Sequence, residues 1–278
     1  MARKRKGNPV HGWVILDKPY GLGSTQAVGK TRWLFQAQKA GHAGTLDPLA
    51  TGILPIALGE ATKTVPFLVD AKKAYEFEIT WGKNTTTQDT EGEVIATSDT
   101  RPSKDDILSA LPQFIGAIEQ VPPKFSAIKI DGKRAYDLAR AGEKVEIKPR
   151  QVQIDDIRLL SITPDTTTFA VDCGKGTYIR SIARDLAAAL DTCGHVTMLR
   201  RTRVGPFSEA NAISLDIVRE LRHKDDLDEL LLPVETALAD IPALAITGAE
   251  ADRLKCGQTV RVPQNLEGTV YATADGRP

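Results

Sequence analysis

The sequence predicts a mixed α+β fold, and three observations point there. Residues 74–82 (AYEFEITWG) alternate strictly, with Tyr75, Phe77, Ile79 and Trp81 on one face and Glu76, Glu78 and Thr80 on the other, the pattern of a half-buried strand. Residues 176–191 instead place Ile179, Ile182, Ala183, Leu186 and Leu190 on one helical stripe. Segments of the two kinds interleave irregularly along 278 residues rather than in a regular strand–helix alternation.

Taken in order, GWVILDKP (12–19) reads as a strand ended by Pro19. Ser24 or Thr25 is placed to cap a helix running to about Gln36. After the 74–82 strand, SKDDILSALPQFIG (103–116) starts a helix, with Ser103 as cap and acids in the first turn. SAIKIDGKRA (126–135) carries Asp131-Gly132 between strand-like arms, a hairpin signal, and a short helix from Arg134 to about Ala141 follows, stopped by Gly142. QVQIDDIRLLSI (151–162), TTFAVDC (167–173) and HVTMLRRTRVGPFS (195–208) read as strands. Pro233 and Pro242 bracket a boundary, beyond which a helix at about 247–256 and short strands through Tyr271 are expected.

Composition excludes several classes. Hydrophobic residues make up 41% and charged residues 26%, which is ordinary for a globular chain and rules out wholesale disorder, collagen and coiled coil. No apolar run approaches ~18 residues, so no membrane span is expected. The basic start MARKRKGNPVHGW lacks the apolar stretch of a secretory signal. Cys173, Cys193 and Cys256 are far apart and odd in number, and read as reduced thiols of a cytoplasmic protein. With four histidines and no ligand spacing, no metal site is expected.

The formal net charge of zero conceals an asymmetry. Residues 1–32 carry seven basic residues, Lys18 among them, against Asp17 alone. Residues 121–151 carry eight (Lys124, Lys129, Lys133, Arg134, Arg140, Lys144, Lys148, Arg150) against four acids, whereas residues 209–240 carry nine acids against three bases. Such segregation fits a face that meets a polyanion, and equally a solvated surface with ordinary clustering.

The least ordinary stretch is GHAGTLDPLATGILPIALGEATK (41–63). Asp47 precedes Pro48, so its backbone is pushed towards extended geometry, which helps to aim one carboxylate. Gly41 and Gly44 would allow close approach by another backbone or a ligand. An Asp-Pro turn in a glycine-rich loop is the other reading. The glycine spacing fits neither nucleotide-binding pattern. Arg180 and Arg184, four apart, share a helix face that either meets solvent or holds a carboxylate. Tyr75 reads as a core aromatic or as a ring available for stacking, and Tyr178 carries the same ambiguity.

GHAGTLDPLATGILPI, KAYEFEITWGKNTTTQDTEGEV (73–94), VPPKFSAIKIDGKRAYDLARAGE (121–143), GTYIRSIARDLAAAL (176–190) and MLRRTRVGPF (198–207) occur in an order that resembles the TruB family of tRNA pseudouridine synthases, over about residues 10–240. The resemblance implies the pseudouridine synthase catalytic fold, with a central, largely antiparallel sheet flanked by helices and loops. It implies isomerisation of uridine 55 in the T-loop of tRNA, an isomerase reaction with no cofactor and no metal. Asp47 falls on the family's catalytic aspartate, Tyr75 on its active-site tyrosine and Arg180 on the arginine that pairs with the aspartate. Tyr178 falls on a pocket aromatic, Leu199 on a pocket-wall leucine, His42 on the histidine that meets the T-loop, and Lys63 on a basic residue of the same region. The 121–151 segment falls on a thumb-like insertion that closes on RNA, with Lys124, Lys129, Lys133, Arg134 and Arg140 as RNA-contact candidates. The expected organisation is a catalytic domain over 1–240 and a small PUA-like β region over 241–278. ITGAEADRLKCGQTVRV resembles the opening of that region, but its later strands are not read before the chain stops at DGRP, so it is expected to be reduced or clipped.

In these roles an ionised Asp47 would attack an electrophilic carbon, stabilise an oxocarbenium-like sugar or remove a proton. Replacing Arg180 with alanine is expected to cost activity far more than fold. The partner would be tRNA, with no membrane and no obligate protein; without a long apolar seam, a monomer is expected. A guided pseudouridylation subunit, an RNA-binding or tRNA-folding protein with an idle pocket, and a carboxylate glycosidase are the competing readings.

Overall fold

A computed structural model describes residues 7–130, 132–143, 146–222, 226–261 and 268–274. Arg3 to Lys6, Asp131 of the expected hairpin turn, Lys144 and the terminal DGRP lie outside the described residues. The first half of the chain forms β1 (Gly12–Lys18), α1 (Ser24–Leu34), β2 (Ala40–His42), β3 (Thr51–Leu58), α2 (Val65–Asp70), β4 (Lys73–Trp81), β5 (Lys83–Thr85), β6 (Val94–Thr97), α3 (Lys104–Ala110) and β7 (Gly116–Gln120). The insertion forms β8 (Lys129–Ile130), β9 (Lys133–Arg134) and α4 (Ala135–Arg140). Then come β10 (Arg150–Ile162), β11 (Thr166–Cys173), α5 (Ile179–Ala189), β12 (Gly194–Val204), β13 (Phe207–Ser208), α6 (Leu215–Arg222), β14 (Ala243–Ala245), α7 (Gly248–Lys255) and β15 (Tyr271–Thr273).

Nine strands make one sheet, ordered β1-β3-β12-β4-β11-β10-β7, with β2 beside β3 and β13 beside β12. Every pairing in it is antiparallel except β12 with β3, so the expected largely antiparallel sheet is what forms. The alternation in β4 decides its orientation. Phe77, Ile79 and Trp81 pack under α5 with Phe169, Ile182 and Leu186, while the opposite face holds Thr80 and Glu78 in a hydroxyl network with Thr197. β1 is apolar from Trp13 to Leu16 because both its faces are covered there. Val14 and Leu16 meet α1 and α6, whereas Trp13 and Ile15 meet Phe207 and Leu68. Burying side chains of this size contributes about 1.5–3 kcal/mol each.

Most sequence-derived boundaries agree to within a few residues. The stretch read as one strand over 195–208 divides at Gly205-Pro206 into β12 and β13, which pair antiparallel, and two further readings differ for identifiable reasons. The N-cap of α1 is Gly23, not Ser24 or Thr25. The Ser24 hydroxyl is used elsewhere: it donates to the Leu46 carbonyl and accepts from the Leu46 N–H, both at 2.8 Å. Lys18, read as part of a basic surface segment, is fully buried. Its ammonium donates to the carbonyls of Pro19, Leu22 and Pro48, closing the turn after β1 onto the loop after Asp47. Ser103 caps α3 by accepting from the Asp106 N–H, as expected.

The parallel β12–β3 pair is what assembles a site. It sets Arg200 beside Thr51 and Arg201 beside Gly52, so the loop leading into β3, with Asp47 in it, runs against the middle of β12. β12 in turn pairs with β4, placing Arg201 opposite Tyr75 and Leu199 opposite Phe77. The close approach falls at Gly52, not at Gly41, where a side chain would meet nothing. Gly52 has φ +96°, and a Cβ there would fall on the backbone of Arg201.

Candidate active site

The residues gathered by this register surround a cavity of about 570 Å³. Its wall includes Asp47, Tyr75, Tyr178, Arg180 and Leu199, five of the seven site residues that the resemblance implies. Ser126, Ala127 and Ile128, at the root of the insertion, close one side.

The loop carrying Asp47 is clamped on both flanks. Ser24 holds Leu46 before it. After it, Pro48 accepts from the Gly21 N–H at 2.9 Å and from Lys18, and the Ala50 N–H donates back to the Asp47 carbonyl at 3.0 Å. The carboxylate itself remains 43% exposed, so it is anchored yet open to the cavity. Arg180 meets it at 2.8 Å, from the first turn of α5. Of the two readings of Arg180, the structure shows the second: the residue is buried, not turned to solvent. Its fork also donates to the carbonyls of Thr87 at 2.8 Å and Phe125 at 2.9 Å, and faces Asp89 at 3.5 Å. One guanidinium therefore ties together the Asp47 loop, the loop between β5 and β6, and the root of the insertion. That many buried partners make Arg180 a structural element too, so alanine there is now expected to weaken the fold as well as the site.

Tyr75 is half-buried on the cavity floor. Burial raises its phenol pKa above the ordinary value, and the Arg201 guanidinium beside it opposes that shift. The hydroxyl is thus a neutral donor across the physiological range. Tyr178 caps α5, its backbone held by both ends of the Gln120 amide, and the Arg150 guanidinium lies 4.9 Å from its ring centroid.

His42 and Lys63 stand apart from the cavity. His42 is half-buried on β2, with a buried Nδ1 that has no hydrogen-bond partner among the described residues; burial, then the Arg201 charge, holds its pKa below the usual 6.5. Lys63 is exposed after β3 and forms an ion pair with Glu60 three residues earlier. The insertion candidates are all exposed: Lys124 just before the cavity-wall residues Ser126, Ala127 and Ile128, and Lys129, Lys133, Arg134 and Arg140 along the hairpin and short helix after them.

Three further residues belong to the site without having been singled out in the sequence. Arg201 is buried and lines the cavity, donating to the carbonyls of Ile53 at 2.7 Å and Gly44 at 3.2 Å. The signal was the Arg200-Arg201 pair in a strand. Neighbours on a strand point to opposite faces, so one of two arginines had to turn inward. Arg200 took the outer side, bidentate on Asp17 at 3.0 Å. Lys18 and Asp89 had no comparable signal. Burial lowers the Lys18 pKa to about 8, with Asp47 opposing the shift.

A model described as TruB family pseudouridylate synthase, N-terminal domain, matches residues 32–179, and one for the tRNA pseudouridylate synthase B C-terminal domain matches residues 180–239. The two segments share one sheet, since β12 of the second lies between β3 and β4 of the first. The chain is 60% identical over 270 residues to tRNA pseudouridine synthase B of Caulobacter vibrioides, covering 96% of this chain and 87% of that protein. It is 54% identical over 293 residues to the protein of that name from Bradyrhizobium diazoefficiens, covering 99% and 85%. Among solved structures, a chain of a Cbf5-Nop10-Gar1 complex superposes with a TM-score of 0.70 at 29% identity, over 88% of this chain and 67% of that one.

Proposed function

The chain belongs to the TruB family of pseudouridylate synthases, and from that premise we propose that it isomerises uridine 55 in the T-loop of tRNA to pseudouridine, with Asp47 as the essential carboxylate. The observation that carries this reading is the Asp47–Arg180 pair at 2.8 Å, a carboxylate open to a cavity and bound from behind by a buried guanidinium.

The reaction breaks the bond between ribose C1′ and uracil N1, turns the base, and joins C1′ to C5. The C5 hydrogen leaves as a proton, N1 gains one, and no electrons are gained or lost overall. An anchored carboxylate serves attack at C1′, addition at C6, or proton removal from the sugar. Arg180 keeps Asp47 aimed whichever of these it performs. The Tyr75 ring supplies a face for the uracil and its neutral hydroxyl a hydrogen bond, while Leu199 and Tyr178 wall the pocket.

A uridine in a folded T-loop is reached only by taking its base out of the stack, at about a few kcal/mol. The exposed Lys124, Lys129, Lys133, Arg134 and Arg140 supply phosphate contacts that offset this cost, with affinity falling as salt rises. His42 and Lys63, outside the cavity, would meet RNA at its rim rather than the reacting base. We assign catalysis to residues 1–240, with the insertion at about 121–151, and a separate smaller unit to 241–278. Action as a monomer in the cytoplasm completes the proposal.

The test is incubation with unmodified tRNA transcript, without guide RNA or cofactor, followed by pseudouridine mapping. Product at position 55 with the wild type and none with Asp47→Asn is the expected result. Product only when a guide RNA is added, or tight binding with no product from either protein, would overturn the proposal.

A further inference from the structure

The cavity is larger than one pyrimidine ring fills, and its far part has a different chemistry. Lys73 lies on the same face of β4 as Tyr75, two residues away, so the floor continues roughly 7 Å beyond the tyrosine. There the wall is Arg150, Lys73, Lys175 and the loop Gly174–Thr177 that leads into α5. Lys73 is committed: its buried ammonium donates to the carbonyls of Leu68, Val69 and Ala71, the end of α2. Arg150 and Lys175 are not fully committed. Arg150 donates from Nη2 to the Gly176 carbonyl, and its buried Nε has no hydrogen-bond partner among the described residues. Lys175 is 66% exposed, and among the described residues its one ion pair is to the equally exposed Asp70 at 3.0 Å. Cationic groups one nucleotide step beyond a uracil site suit one ligand, a phosphodiester.

We propose that Arg150 and Lys175 form a phosphate subsite for the nucleotide next to the target uridine. This rests on the uridine-isomerising reading and names which part of the RNA chain the second half of the cavity holds. The linkage enters along the Gly174–Thr177 loop, which lines the cavity and where Gly176 has φ +81°. Arg150, seated over the Tyr178 ring and donating from Nη2 to the Gly176 carbonyl, brings its guanidinium charge alongside the linkage. Lys175 exchanges Asp70 for phosphate when RNA binds. The subsite holds the neighbouring nucleotide while the target base turns, so its contribution appears in substrate affinity.

The experiment uses the whole protein and a short T-arm stem-loop RNA. Wild-type turnover of the all-phosphate RNA tests the underlying reading by itself. Against that standard, Lys175→Gln raises KM about tenfold with kcat nearly unchanged, the loss of one charge-assisted hydrogen bond. It also lowers the dependence of log KM on log salt by about 0.7, the value for one lost contact to a single strand. Asp70→Asn separates the subsite from a merely structural ion pair. It frees Lys175, so KM stays level or falls, whereas loss of a structural bridge would make both variants alike. A neutral methylphosphonate at one linkage flanking the uridine reproduces the tenfold rise in the wild type and adds nothing further in Lys175→Gln. Active wild type with Lys175→Gln and Asp70→Asn equally impaired, or with no flanking linkage sensitive to neutralisation, overturns the subsite and leaves the main activity standing.

Discussion

Arg180→Lys isolates what the guanidinium fork does beyond carrying a positive charge. In the structure the fork reaches Asp47 at 2.8 Å, the Thr87 carbonyl at 2.8 Å and the Phe125 carbonyl at 2.9 Å, and faces Asp89 at 3.5 Å. An ammonium keeps the charge but not the planar spread, so it serves Asp89 and one or two of the other partners. Hydrogen bonds to charged groups contribute about 1.5–3 kcal/mol each, and the one to half-exposed Asp47 is discounted to about 1 kcal/mol by solvent. Losing one buried carbonyl contact and the Asp47 contact therefore costs about 2.5–4 kcal/mol of stability. The effect on turnover is larger in proportion, because displacing a reacting group by ~1 Å lowers rate about 10²-fold. Stability is read from denaturant midpoints. Turnover is read as tritium released from tRNA labelled at uridine C5, whose hydrogen leaves when C1′ bonds to C5. An Arg180→Lys protein within threefold of wild-type kcat and at full stability would refute the claim that the fork's geometry holds Asp47 in place.

Two other outcomes follow from the packing and the titrating groups. Gly52→Ala sets a Cβ on the Arg201 backbone at φ +96°, separating β3 from β12 where the Asp47 loop is aligned; it should cost about 2–4 kcal/mol and most of the activity, measured by thermal melting and single-turnover rates. Lys18 and Lys73 are lowered to about 8 by burial from 10.5, so between those values the unfolded chain binds more protons than the folded one and stability rises with pH; Cys173, raised by burial from 9.0 to about 11, works in the opposite direction above pH 9. Urea midpoints should accordingly increase from pH 8 to 9, and Lys73→Met should flatten that increase; a decrease over this window in the wild type would show the two ammonium groups to be ordinary surface charges.

Local chemistry was legible along the chain wherever it is self-contained. The period-two pattern of β4, the Ser103 cap and the insertion hairpin each depend on residues within one or two turns of each other, and each was found in place. Asp47, Tyr75, Tyr178, Arg180 and Leu199 were identified through a sequence resemblance, and the cavity gathers all five. By itself, though, the local pattern left Arg180 open between solvent and carboxylate. The buried set, Lys18, Asp89 and Arg201, was missed because each charge, beside local contacts such as Lys18 to Pro19 and Leu22, is buried against a distant partner, at Pro48, Arg180 and Ile53, which lie 30, 91 and 148 residues away.

What the amino-acid order determined was therefore part of the inventory: many of the segments that extend or coil and most of the side chains that carry chemistry, but not β3 (Thr51–Leu58), which lies inside the stretch read as a glycine-rich loop. What the tertiary structure alone decided was their convergence. One parallel pairing, β12 with β3, sets the Asp47 loop against Leu199 and Arg201, and α5 then delivers Arg180 to it from 133 residues further along. Strand register is chosen by burial and hydrogen bonding summed over the whole sheet, a quantity no short window of sequence contains.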